Sequence, residues 1–119
     1  MKTIEDITVD KLILVRELKS LQENQASKTK IKKCRANIET LNGYISYLQT
    51  EPNQSYVTQQ LKEVKRKITI LDSRFPDWVK YNDGEVAKIE PKKLRQYYDK
   101  KFNVKLLKEQ KAALTYLLS

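Results

Sequence analysis

Two crowded sets of cations are the residues most able to do chemistry in this sequence. Lys28, Lys30, Lys32, Lys33 and Arg35 stand within eight positions with no acid among them. Lys92, Lys93, Arg95, Lys100, Lys101, Lys105, Lys108 and Lys111 face only Asp99 and Glu109 in the last 29 residues, a segment of net charge +6. Cations so gathered suit phosphates, because each neutralised phosphate releases condensed counterions and ties affinity to salt. A smaller set, Lys62, Lys65, Arg66 and Lys67, reads equally as a solvated helix face. Lysine far outnumbers arginine. That balance favours diffuse attraction to a nucleic-acid backbone over bidentate reading of bases.

Tyr97 and Tyr98 lie beside Lys100 and Lys101, where an exposed ring could stack on an unpaired base. Neighbouring helical positions diverge by about 100°, so one tyrosine packs inward while the other, Tyr97, leans outward. Other chemistries fare worse. The chain has no histidine, and Cys34 is its single cysteine, which leaves neither the usual general base nor a multi-thiolate zinc site. Cys34 reads as a small buried apolar residue. Pro76, Asp77, then Glu90, Pro91 and Lys92 match a loose metal-nuclease pattern, in which two carboxylates hold Mg²⁺ and a lysine polarises phosphate. Pro91 denies the hydrogen bond that a central strand would need there, so the segment is read as an acidic turn before a helix. The pair Asn103 and Val104 resembles the turn of a helix-turn-helix, but Lys108, Glu109 and Gln110 offer no apolar residue to seat a recognition helix. A non-catalytic protein without cofactor, metal or small-molecule substrate is expected.

These residues must be positioned by helices. The chain of 119 residues and 14.0 kDa carries a net charge of +9 with only two glycines and three prolines, which suits one basic, ordered domain, 1–119. Val9 to Leu48 lacks proline and repeats its apolar residues at helical spacing, with Thr8 as the expected N-cap. Its two stripes are out of phase. Ile31, Cys34, Ile38, Leu41, Ile45 and Leu48 form one, Leu14, Leu18 and Leu21 another, and the polar stretch between them predicts a break near Ala26 and Ser27.

Val57, Leu61, Val64, Ile68, Leu71 and Phe75 form a third stripe after the turn around Pro52. Stripes of equal length joined by a turn predict an antiparallel coiled-coil hairpin over 31–75, within a long helical region 1–75. Leu48 would meet Val57, and Ile31 would lie near Phe75. Pro76 should end that helix. Asn82, Asp83 and Gly84 sit between segments rich in aromatic and β-branched residues, and this turn signature predicts a small β-hairpin at 78–89 within the turn region 76–90. Pro91 then opens a basic pair of shorter helices over 91–119, the first ending near Asn103. The fold class expected is mainly all-α.

No apolar run approaches the length of a spanning helix, and the amino terminus lacks the apolar core of a secretory signal. An intracellular protein, cytoplasmic or nucleoid-associated, with no membrane partner follows. The leading expectation is an accessory protein binding DNA or RNA with little sequence choice. The alternative is a protein-interaction module, an adaptor or inhibitor of a larger host or phage complex, acting through its hairpin or its Leu14, Leu18, Leu21 stripe. Homodimerisation is compatible with both.

Overall fold

The computed structural model describes residues 1–119, and its regular elements are all helices, with no strand. Six α-helices follow in order: α1 (Ile4–Glu23), α2 (Lys28–Leu48), α3 (Gln54–Tyr81), α4 (Asp83–Val86), α5 (Leu94–Lys101) and α6 (Val104–Leu118), with a 3₁₀ turn, Pro91–Lys93, leading into α5. The chain divides into two compact units: Met1–Gln54 with Tyr116–Ser119, and Ser55–Thr115. No helix is long and apolar enough to cross a membrane.

In the first unit the long run 9–48 is two helices. Helix α1 starts at Ile4 rather than Val9, because Thr3 caps it. The Asp6 amide donates to the Thr3 hydroxyl at 3.2 Å while the Asp6 carboxylate accepts from the Thr3 amide at 2.9 Å. This reciprocal pair is a capping box with aspartate in the usual glutamate place. The hydrogen bond from the Thr3 amide, seconded by the Thr3 side chain, holds the Asp6 carboxyl below its ordinary pKa. Thr8, the cap expected from the sequence, lies inside the helix with its hydroxyl donating to the Ile4 carbonyl.

The predicted break is real. Gln25 takes a left-handed φ of 51°, and the Ala26 and Gln25 amides donate back to Leu21 and Gln22. That is a Schellman ending. Ser27 then caps α2 by accepting from the Lys30 amide. Helices α1 and α2 pack antiparallel. Ile7, Leu41, Leu48 and Leu117 form the buried core, with Leu14, Tyr44, Ile45, Tyr47 and Tyr116 packed against it. Cys34 is buried as expected, and its thiol donates to the Leu14 carbonyl at 3.4 Å. The carboxyl-terminal residues complete this unit. The Lys2 amide donates to the Leu117 carbonyl at 2.7 Å, and the Tyr116 hydroxyl donates to the Asp10 carboxylate. Burial, reinforced by the Asp10 carboxylate, pushes the Tyr116 phenol well above its ordinary range.

Within this unit the α2 stripe therefore lies against α1. The hairpin expected over 31–75 would pair α2, which belongs to the first unit, with α3, which belongs to the second.

The second unit overturns two expectations. Helix α3 does not stop at Phe75 but runs through Pro76 to Tyr81. Proline removes one amide donor and crowds the carbonyl of Asp72, yet the added turn places Trp78 among Phe75, Tyr97 and Tyr98, with ring centroids 5.2–6.3 Å from the indole. Aromatic burial outweighs the local cost. Nor is there a β-hairpin at 78–89. Asn82 ends α3 by donating its side-chain amide to the Trp78 carbonyl, and its own carbonyl accepts from Glu85 and Val86 to begin α4. Gly84 has no positive φ, so the backbone that a tight Asn-Asp-Gly hairpin turn requires is absent. Lys101 on α5 holds Glu85 with its Nζ 2.6 Å from each carboxylate oxygen.

Pro91 opens the 3₁₀ turn as expected. Asn103, with φ 52°, makes the corner between α5 and α6. Asparagine tolerates the left-handed conformation that this corner demands.

Candidate nucleic-acid interface

The two sets of cations have different surroundings. In the carboxyl-terminal set the fold supplies acids that lie outside the segment in sequence. Arg95, half-buried across the Phe75 and Tyr98 rings, donates to Asp72 and, at 2.9 Å, to Asp99. The hydrogen bond to Asp72 is the main reason its guanidinium pKa is raised. Lys101 is committed to Glu85, and Lys93 stands 3.9 Å from Glu90. Arg95 and Lys101 are thereby engaged within the protein's own structure, whereas Lys93, its side chain 67% exposed, is only loosely paired.

Lys92, Lys100, Lys105 and Lys108 remain exposed and outside any ion pair. An open groove where α5 meets α6 is lined by Lys100 and Lys105 together with Gln96, Asp99, Asn103, Leu106 and Glu109. Its two carboxylates dilute the positive potential.

Tyr97 and Tyr98 part as helical geometry requires. Tyr98 is 1% exposed and donates its hydroxyl to the Leu71 carbonyl at 2.7 Å; burial raises its pKa. Tyr97 is 41% exposed, with its ring stacked 6.0 Å from Trp78. The face against Trp78 is occupied, which leaves the other for a base. Beneath it the Trp78 Nε1 is buried without an acceptor.

The set at the start of α2 is different. Lys28, Lys30, Lys32, Lys33 and Arg35 are all exposed, and none forms an ion pair with a carboxylate of this chain. At about 100° per residue, Lys28, Lys32 and Arg35 fall on one flank of the helix and Lys30 and Lys33 on the other. The latter two line a shallow depression with Leu14, Glu17, Leu21, Cys34 and Asn37. No acid occupies the first turn of α2. These cations therefore add to the partial positive charge of the helix terminus instead of offsetting it, an arrangement unfavourable to the isolated helix.

Asp77 and Glu90, the carboxylates of the loose nuclease pattern, lie on α3 and just before Pro91. The strands that were to bring them across a hairpin do not form. No group of three or more His, Cys, Asp or Glu side chains gathers anywhere in the chain.

The sequence reading missed an apolar surface. Helix α1 turns Ile7 and Leu14 inward but leaves Val9, Leu12 and Ile13 more than half exposed. The signal was present, since Val9, Leu12 and Ile13 interleave with the buried stripe. Comparison with known proteins finds no matching family model, no similar curated protein and no similar solved structure.

Proposed function

We infer that this protein is a non-catalytic nucleic-acid-binding accessory protein that engages the phosphate backbone through lysine-rich helical surfaces, with little sequence specificity. The observation that carries the reading is the set at the start of α2: five exposed cations, unpaired within the chain, at the helix end where positive charge is least favoured. Phosphates would satisfy both the side chains and the helix terminus. Lys100, Lys105 and Lys108, with Tyr97 as a stacking ring, form a separate candidate surface within the second unit.

The test is titration of a fluorescent oligonucleotide by anisotropy across a salt series. Binding is expected near about 50 mM salt, with a log–log slope of several negative units, since each phosphate contact contributes about 0.9. Replacing Lys28, Lys30, Lys32 and Lys33 by glutamine should flatten that slope and weaken binding. It should leave the thermal midpoint unchanged or higher, because it removes cations from the positive end of α2. No binding at low salt, or unchanged affinity in the variant, would refute this assignment.

A protein-interaction module is the second reading. The exposed Val9, Leu12 and Ile13 favour it, as three aliphatic side chains on one helix face form a patch suited to a protein partner.

A further inference from the structure

We propose that the outer face of α1 is a self-association surface, on which α1 of a second copy lies antiparallel about a two-fold axis between Val9 and Leu12. This inference does not depend on the phosphate-binding reading. Glu5, Val9, Leu12 and Arg16 follow the 4, 3, 4 spacing of a coiled-coil seam and fall within an arc of about 60° on the helix surface. Val9 and Leu12 are 57% and 54% exposed, and Ile13, 57% exposed, widens the stripe at its edge. The seam lies opposite the face through which Ile7 and Leu14 pack into the core.

Charge selects the occupant. Glu5 closes one end of the apolar stripe and Arg16 the other; both are exposed, and neither has an ion-pair partner in the chain. A two-fold axis at the centre sets Val9 against Leu12 of the second copy. The same operation sets Glu5 against Arg16 and Arg16 against Glu5, so both ends become attractive. A parallel pair would oppose Glu5 to Glu5 and Arg16 to Arg16. The stripe thus matches itself only in the antiparallel sense, in which the two helix dipoles also run favourably. With few apolar residues per copy, the contact is smaller than a standard interface, and association in the micromolar range or weaker is expected.

Sedimentation velocity of the full chain from about 1 μM to about 1 mM tests this. The wild type should pass from monomer to dimer. Leu12→Glu should stay monomeric while retaining the wild-type circular dichroism melt, since Leu12 takes no part in the core. Glu5→Arg and Arg16→Glu should each weaken dimerisation about tenfold or more, because each variant places like charges at both ends. An equal mixture of these two variants should dimerise at least as well as the wild type, as every end pair is then opposite in sign. A wild type monomeric throughout would give the face to a different partner and overturn the proposal. So would dimerisation unaffected by Leu12→Glu, or a mixture no tighter than its separate components.

Discussion

Leu117 and Leu106 belong to one helix, α6, and carry the same side chain in opposite surroundings. Leu117 is 2% exposed among Ile7, Leu41 and Leu48, whereas Leu106 is 53% exposed beside the α5–α6 groove. Replacing Leu117 by alanine removes buried carbon and leaves a cavity in a core with few other residues to fill it. Such changes cost about 2.7–5.0 kcal/mol, and we expect about 3 kcal/mol here. That is a substantial part of the stability of a domain of this size, usually about 5–15 kcal/mol. Leu106→Ala should change stability by less than about 0.5 kcal/mol, since little burial is lost and alanine favours the helix slightly more. Parallel urea titrations followed by far-ultraviolet circular dichroism measure both. The pair shares helix and chemistry, so the difference isolates burial. A difference under about 1 kcal/mol would refute the placement of the carboxyl terminus in the first core.

Further outcomes follow from other features. Gln25 holds a left-handed backbone at the end of α1, so Gln25→Gly should raise the stability measured by urea unfolding by about 0.5–1 kcal/mol. Burial raises the pKa of Tyr44, Tyr98 and Tyr116 above the ordinary 10.0. Their contribution is intact below pH 10 and lost above it, as the unfolded chain releases protons that the native chain retains. Stability should therefore fall with alkaline pH, and phenolate absorbance should show these three ionising late. The opposite sign holds at Asp6, whose pKa lies below 3.8: its contribution is present above that value and lost as pH falls beneath it. Asp6→Asn should accordingly blunt the acid-induced loss of helix signal.

Periodicity made much of this architecture legible. The stripe from Ile31 to Leu48 marked the buried face of α2, the polar stretch before it marked the break, and Asn103 marked the last corner. What a stripe does not carry is the identity of the surface it meets. Within the first unit the face of α2 from Cys34 to Leu48 packs with α1, whose shorter stripe of Leu14, Leu18 and Leu21 is out of phase with it in sequence. Capping was similarly ambiguous, since Thr3 and Thr8 both precede helical sequence and only the return bond from Asp6 separates them. Pro76 and the Asn82–Gly84 turn misled because their local preferences were outweighed by Trp78 entering an aromatic cluster drawn from distant positions. Charge counted by segment likewise leaves out partners on other helices. Asp72 and Glu85 neutralise Arg95 and Lys101 from well outside the basic run.

The first unit is interrupted in sequence, since residues 55–115 lie between its main body and Tyr116–Ser119. On a translating ribosome, α1 and α2 emerge early with the position of Leu117 empty and the Lys2 amide without its carbonyl. Every residue of the second unit is then made before the piece that closes the first. Until that piece arrives, Ile7, Leu41 and Leu48 lack the Leu117 side chain that joins their cluster in the folded unit.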